Sequence, residues 1–98
     1  MNIVRDFNKD AATWDENPGR VRVAQKIAET IIATGMLDKR DSLMDFGCGT
    51  GLVSLALEPL VDTITGVDSS RGMLDVFNNK KTHYAIDNVS TALVDIDN

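Results

Sequence analysis

Ninety-eight residues, 43% hydrophobic and 26% charged, make at most one small globular domain with a modest core, and nothing in that balance calls for disorder. The formal charge is −5 and unevenly spread: residues 1–40 carry seven Lys/Arg against six Asp/Glu, the remainder three against nine. Such a chain offers no electrostatic footing for a nucleic acid backbone or an anionic membrane, and its lone Cys48 excludes an intrachain disulfide or a thiolate metal cluster. With no apolar h-region at its start and no run of membrane-spanning length, a cytoplasmic protein is expected, acting on a small neutral or cationic ligand.

Residues 2–17 are polar and irregular, with Phe7 and Trp14 seven positions apart, a spacing that puts both rings on one side of a helix if one forms. Asn17-Pro18-Gly19 then restarts the chain: Asn17 is a good N-cap and Pro18 suits the first helical turn. Val23, Ala24, Ile27, Ala28, Ile31 and Ile32 recur at helical spacing while Arg22, Gln25, Lys26 and Glu29 fall on other faces, which predicts one amphipathic helix over 18–35. After a charged connection, Ser42 leads into a short buried strand at 43–46. The glycine-rich Gly47-Cys48-Gly49-Thr50-Gly51 hands it to a helix that starts at Leu52 and runs to about Glu58, where Pro59 disturbs it. A β-branched strand follows at 63–67, closed by Asp68. Ser69 or Ser70 caps a further helix with Met73, Leu74, Phe77 and Lys81 at helical spacing, and 89–94 is a third strand ahead of Asp95-Ile96-Asp97.

Strands that alternate with helices run parallel. The expected fold is α/β: a Rossmann-like open parallel sheet with helices on both faces, truncated to about three strands, its ligand beyond the C-terminal strand ends. The segments after residues 46, 67 and 94 all fall at that edge. Glycines at 47, 49 and 51 let the backbone turn sharply and approach a ligand closely, and the new helix aims free N–H groups at whatever sits there. Asp68, 21 residues past Gly47, ends the neighbouring strand, where an ionised carboxylate accepts from both hydroxyls of a ribose. Turn plus acid reads as a nucleoside site.

A dinucleotide turn would be G-x-G-x-x-G, and its third glycine would fall on Leu52, which disfavours an oxidoreductase. The pattern here is D-x-G-x-G-x-G. Asp45-Phe46-Gly47-Cys48-Gly49-Thr50-Gly51 resembles the first motif of the class I S-adenosylmethionine-dependent methyltransferases, and Gly66-Val67-Asp68-Ser69-Ser70 resembles their second. The N-terminal stretch from Phe7 to Arg20 is also similar to the start of small-molecule and protein-modifying members. The resemblance implies that Gly47, Cys48 and Gly49 line the methionine part of S-adenosylmethionine through backbone groups, with Asp45 helping to hold its ammonium. It further implies that Asp68 binds the ribose, that Ser69 and Met73 flank the adenine, and that Asp95 with Ile96 meets its amino edge and face. An acidic rim agrees with a cofactor that is cationic and has no phosphate. Methyl transfer is an in-line displacement in which the protein mainly positions the acceptor, so no catalytic residue is named.

Plainer readings stand beside these. Asp45 and Asp95 are also ordinary loop acids. Cys48 has no base near it in sequence, and His83, at a helix end, reads as an exposed cap rather than its partner. Phe7 and Trp14 suit a hydrophobic lid or packing anchor, and Arg20, Arg22 and Lys26 a wet helix face.

The family has a seven-stranded sheet, whereas this sequence stops after its third strand. In the family's order the strand at 43–46 lies between the strand at 63–67 and a fourth strand absent here, as are the later loops that hold the methyl acceptor. The chain is therefore expected to be the N-terminal, cofactor-binding part of a longer methyltransferase acting on a small molecule or a protein, inactive by itself and prone to self-association along the edge at 43–46. The alternative is a non-enzymatic module that senses the cofactor or scaffolds a partner on the same fold.

Overall fold

The computed structural model describes residues 6–95. Helix α1 (Phe7–Asp10) is a single turn whose N-cap, Asp6, accepts the Lys9 N–H, and it passes into a 3-10 helix at Ala11–Glu16. Together they bring the Phe7 and Trp14 rings to 5.9 Å between centroids, so the seven-residue spacing does place them side by side. Helix α2 (Pro18–Ala33) begins as its residues predict. Asn17 Oδ1 accepts the N–H groups of Gly19 and Arg20 at 2.9 and 3.4 Å, satisfying two of the donors that a helix start leaves free.

The chain then alternates: β1 (Ser42–Phe46), α3 (Leu52–Leu57) with a 3-10 turn at Glu58–Leu60, β2 (Thr63–Asp68), α4 (Arg71–His83) and β3 (Val89–Leu93). Of the two serines that could cap α4, Ser70 does so, its Oγ accepting the Met73 N–H at 3.2 Å. The three strands are parallel in the order β1-β2-β3, with Asp45 opposite Gly66 and Gly66 opposite Thr91. All three strand ends therefore meet at one edge.

Side chains alternate across the sheet, so this register sorts them by face. One face carries Leu43, Ile64, Gly66 and Val89, and the helices supply its cover: Phe77 and Leu74 of α4, Leu57 of α3 and Ala28 of α2 close the core, with Phe77 wholly buried. Gly66 is a glycine because the Phe77 ring and Cys48 lie flat on it; a methyl there would come within 2.8 Å of the ring and 2.9 Å of the cysteine sulfur. The other face carries Met44 and Phe46, each 68% exposed, with only Val67 of the central strand buried.

The open parallel sheet is as expected, but among the described residues the helices cover one face of it. The reason is topological. Strands laid down in the order 1-2-3 advance in one direction, so each right-handed crossover repeats on the same side, and the second face is covered only when the chain reverses direction. Helix α2 also uses its apolar stripe only in part. It packs against α3 with Ala24 and Ala28 buried, while Val23, Ile27 and Ile32 stay exposed. Among the described residues no helix is long and apolar enough to cross a membrane.

Candidate functional site

The turn after β1 is built from left-handed backbone at Gly47, Gly49 and Gly51, with φ of 76°, 57° and 84°. It is pinned to the neighbouring strand, since the N–H groups of Gly47 and Cys48 both donate to the Val67 carbonyl, at 2.7 and 3.0 Å. The outer glycines serve different ends. A methyl at Gly51 would lie 2.6 Å from the Phe77 ring, so this glycine lets α3 start directly against α4; a methyl at Gly47 would meet nothing within 4 Å, leaving open space before the backbone.

Asp68 ties this turn to the next element. Its Oδ2 accepts the Gly49 N–H at 2.8 Å and its Oδ1 the Ser70 N–H at 2.9 Å. With Phe46, Gly47, Val67, Ser69 and Val94 it lines a shallow cleft of about 60 Å³ at the C-terminal strand ends. Gly47, Asp68 and exposed Ser69 thus come together, and Asp95 is exposed just past β3. Met73 is 2% exposed and sits behind the turn, its sulfur 3.9 Å from where a Gly49 methyl would be. Asp45 is placed differently: it accepts the Ser54 hydroxyl at 2.5 Å and lines a separate cleft between α2, α3 and β1. Ile96 lies outside the described residues.

Cys48 faces inward, 8% exposed, and burial, with Asp45 and then Asp68 adding their negative charge, pushes its thiol up to about 12. It is a neutral packing thiol at any ordinary pH. His83 is exposed and meets Tyr84 edge-on at 4.8 Å, so no Cys/His catalytic pair exists among the described residues.

A larger cavity of about 560 Å³ opens on the other side of the turn, between Gly47, Cys48, Gly49 and Thr50 and the start of α2. The N-terminal segment, which lends Trp14 and Asn17 to its lining, is fastened to the turn and to α4 through two side chains with no signal in the sequence pattern. Asn8 Oδ1 accepts the Ser70 hydroxyl at 2.7 Å and the Gly72 N–H at 2.6 Å. Asp15 accepts the Thr50 hydroxyl at 2.6 Å and the Lys80 ammonium at 2.7 Å. Only the likeness of the N-terminal stretch to the family pointed at this region. Arg20 corrects an expectation: instead of lying on a wet helix face it is half-buried, its guanidinium carbon 3.7 Å from the centre of the Trp14 ring.

Residues 43–98 match the family of the methyltransferase domain. An uncharacterised methyltransferase of Schizosaccharomyces pombe is 51% identical over 39 residues, covering 40% of this chain and 14% of that protein. Among solved structures, an S-adenosylmethionine-dependent methyltransferase from Clostridium acetobutylicum superposes with a TM-score of 0.69 at 28% identity, over 96% of this chain and 39% of that one. The fold of a Methanococcus maripaludis protein matches all of this chain and 46% of that one, with a TM-score of 0.76 and 24% identity. The chain thus spans less than half the length of each. With the strand, glycine turn and strand-end acid all inside the matched region, the chain belongs to the methyltransferase domain family, as a three-stranded portion of the class I S-adenosylmethionine-dependent fold.

Proposed function

We propose that this chain binds S-adenosylmethionine across the C-terminal edge of its sheet, as the cofactor-binding part of an enzyme that methylates a small molecule or a protein. The observation that carries this reading is the Asp68 carboxylate, which accepts one backbone N–H on each oxygen and keeps a lone pair on each for a ribose hydroxyl. The open space before Gly47 supports it, because a ligand can lie directly on that backbone. The charge balance supports it too: acids at Asp45, Asp68 and Asp95 near the strand ends favour a cationic ligand and oppose a phosphorylated one.

On this reading Gly47, Cys48 and Gly49 present backbone to the methionine part, and Asp45, oriented by Ser54, draws its ammonium. Asp68 holds the ribose, Ser69 flanks the adenine with buried Met73 backing the turn beneath it, and Asp95 with Ile96 meets the adenine's amino edge. The cofactor, when bound, supplies a methyl group on a positively charged sulfur. The chain's residues bind and orient it, and none is assigned a proton-transfer or nucleophilic role.

Calorimetric titration with S-adenosylhomocysteine tests the reading: binding is expected, and a folded chain that takes up none would overturn it. A methyl-transfer assay then separates an enzyme from a module that only senses the cofactor.

A further inference from the structure

A carboxylate meets both hydroxyls of one ring only when its plane is fixed. At Asp68 the Gly49 N–H fixes one oxygen and the Ser70 N–H the other, at 2.8 and 2.9 Å, so the acid is held only as well as the Ser70 backbone is placed. That placement comes from outside the sheet. Asn8 of α1, 62 residues earlier in sequence, accepts the Ser70 hydroxyl at 2.7 Å and the Gly72 N–H at 2.6 Å, both on its Oδ1.

The Ser70 hydroxyl has one proton to give. Giving it to Asn8 leaves a lone pair for Met73, whose N–H it accepts at 3.2 Å, so the same bond orients the cap of α4. Helix α1 also lies directly on the start of α4: a methyl at Gly72 would come within 2.8 Å of the Asn8 Cα and 2.9 Å of the Asn8 carbonyl oxygen. Further along the same segment, Asp15 accepts the hydroxyl of Thr50 in the glycine turn, where Thr50 is 2% exposed. One short segment therefore grips the loop after β2 with Asn8 and the turn after β1 with Asp15, the two loops that Asp68 bridges.

We propose that Asn8 is a positioning residue for the cofactor's ribose: through Ser70 it sets the Asp68 carboxylate in the orientation that meets both hydroxyls. The proposal rests on the methyltransferase reading above. Asn8 acts through Ser70 and Asp68, and no bond changes at it. Because the path runs from Asn8 to Ser70 to Asp68 to Gly49, loss of the Asn8 side chain is felt at Gly49, on the other loop. A residue that merely capped α4 would loosen Gly72 and Met73 and stop there.

Amide hydrogen exchange, followed by NMR in the ligand-free chain, reads this path directly. Asn8 is exposed and α1 buries none of its residues, so Asn8→Ala should fold, with circular dichroism as the check. In that variant the Gly49 and Ser70 amides should exchange about five- to tenfold faster, as the loss of one net hydrogen bond would give, while the Ile64 amide, held by the Asn88 carbonyl, keeps its rate. Asn8→Asp keeps an acceptor oxygen in the same place and should restore the wild-type rates. Unchanged exchange at Gly49 in Asn8→Ala, whatever happens at Gly72 and Met73, overturns the proposal. S-Adenosylhomocysteine and its 2′,3′-dideoxy analogue, titrated by calorimetry, form the second arm. Asn8→Ala should weaken the first about tenfold and the analogue by about twofold at most, with Asn8→Asp close to wild type for both. Equal weakening of the two ligands would make Asn8 a general support of the fold and also overturns the proposal. Wild type that takes up no S-adenosylhomocysteine, or that binds both ligands alike, counts against the methyltransferase reading of Asp68; the exchange arm needs no ligand, so the two failures are told apart.

Discussion

Asp68 accepts the Gly49 N–H at 2.8 Å across 19 residues of sequence, and its other oxygen takes the Ser70 N–H at 2.9 Å. The acid that ends β2 thus holds the turn after β1 and the approach to α4 at the same time. Asp68→Ala leaves two N–H groups without their acceptor and is expected to cost about 1–3 kcal/mol as well as most cofactor affinity. Asp68→Asn keeps one acceptor oxygen and should fall between. Urea unfolding and calorimetry on the same samples check this, and wild-type stability in Asp68→Ala would show that the two bonds do not hold the edge.

The two outer glycines of the turn should respond differently to alanine. At Gly51 the added methyl meets the Phe77 ring at 2.6 Å on a backbone of φ 84°, and strain plus overpacking should cost about 2–5 kcal/mol. At Gly47 only the left-handed backbone is penalised, by about 1–2 kcal/mol. Thermal unfolding of the two variants gives the order; a Gly47→Ala loss equal to that of Gly51→Ala would contradict the contact with Phe77.

The Asp15–Lys80 pair, with side chains 31% and 21% exposed, links the N-terminal segment to α4. A double-mutant cycle with Asp15→Asn and Lys80→Met should return a coupling of about 0.5–1 kcal/mol that shrinks in high salt. Because Asp15 also accepts the Thr50 hydroxyl, Asp15→Asn should quicken proteolysis within residues 7–16. A cycle that closes to zero would make the pair incidental.

Burial raises the Cys48 thiol from its ordinary 9.0 to about 12. Below 9.0 the thiol is protonated whether the chain is folded or unfolded, and its burial contributes fully. Between those two values only the unfolded chain gives up the proton, so stability falls as pH rises through that window. The urea midpoint of wild type should therefore drop faster than that of Cys48→Ala from pH 9.0 upward, and iodoacetamide should label native Cys48 slowly at neutral pH. Parallel midpoints in the two proteins would refute the buried-thiol account.

We also propose that β1 pairs with β1 of a second copy. Among the described residues it is the outer strand on that side, and its own Met44 and Phe46 are each 68% exposed. Light scattering should show concentration-dependent association that Met44→Lys suppresses. A monodisperse wild-type monomer that unfolds in one sharp transition would rule this out.

What the residues determined by themselves was local. Asn17 as cap, Pro18 in the first turn, the strand–glycine–helix run from Ser42 to Leu57 and the capped start of α4 all follow from interactions reaching three or four residues, and each leaves a periodic or positional trace. The strand-end Asp68 was legible for the same reason, because parallel strands joined by helices must bring their ends to one edge. Tertiary structure alone decided that Asn8 and Asp15 fasten the N-terminal segment over α4 and the turn, across separations of 35 to 65 residues. It alone set Arg20 on Trp14 and left Val23 and Ile27 exposed. A hydrogen bond between distant side chains leaves no periodicity in the chain, and an apolar stripe records which residues avoid water without recording whether any neighbour is large enough to cover them.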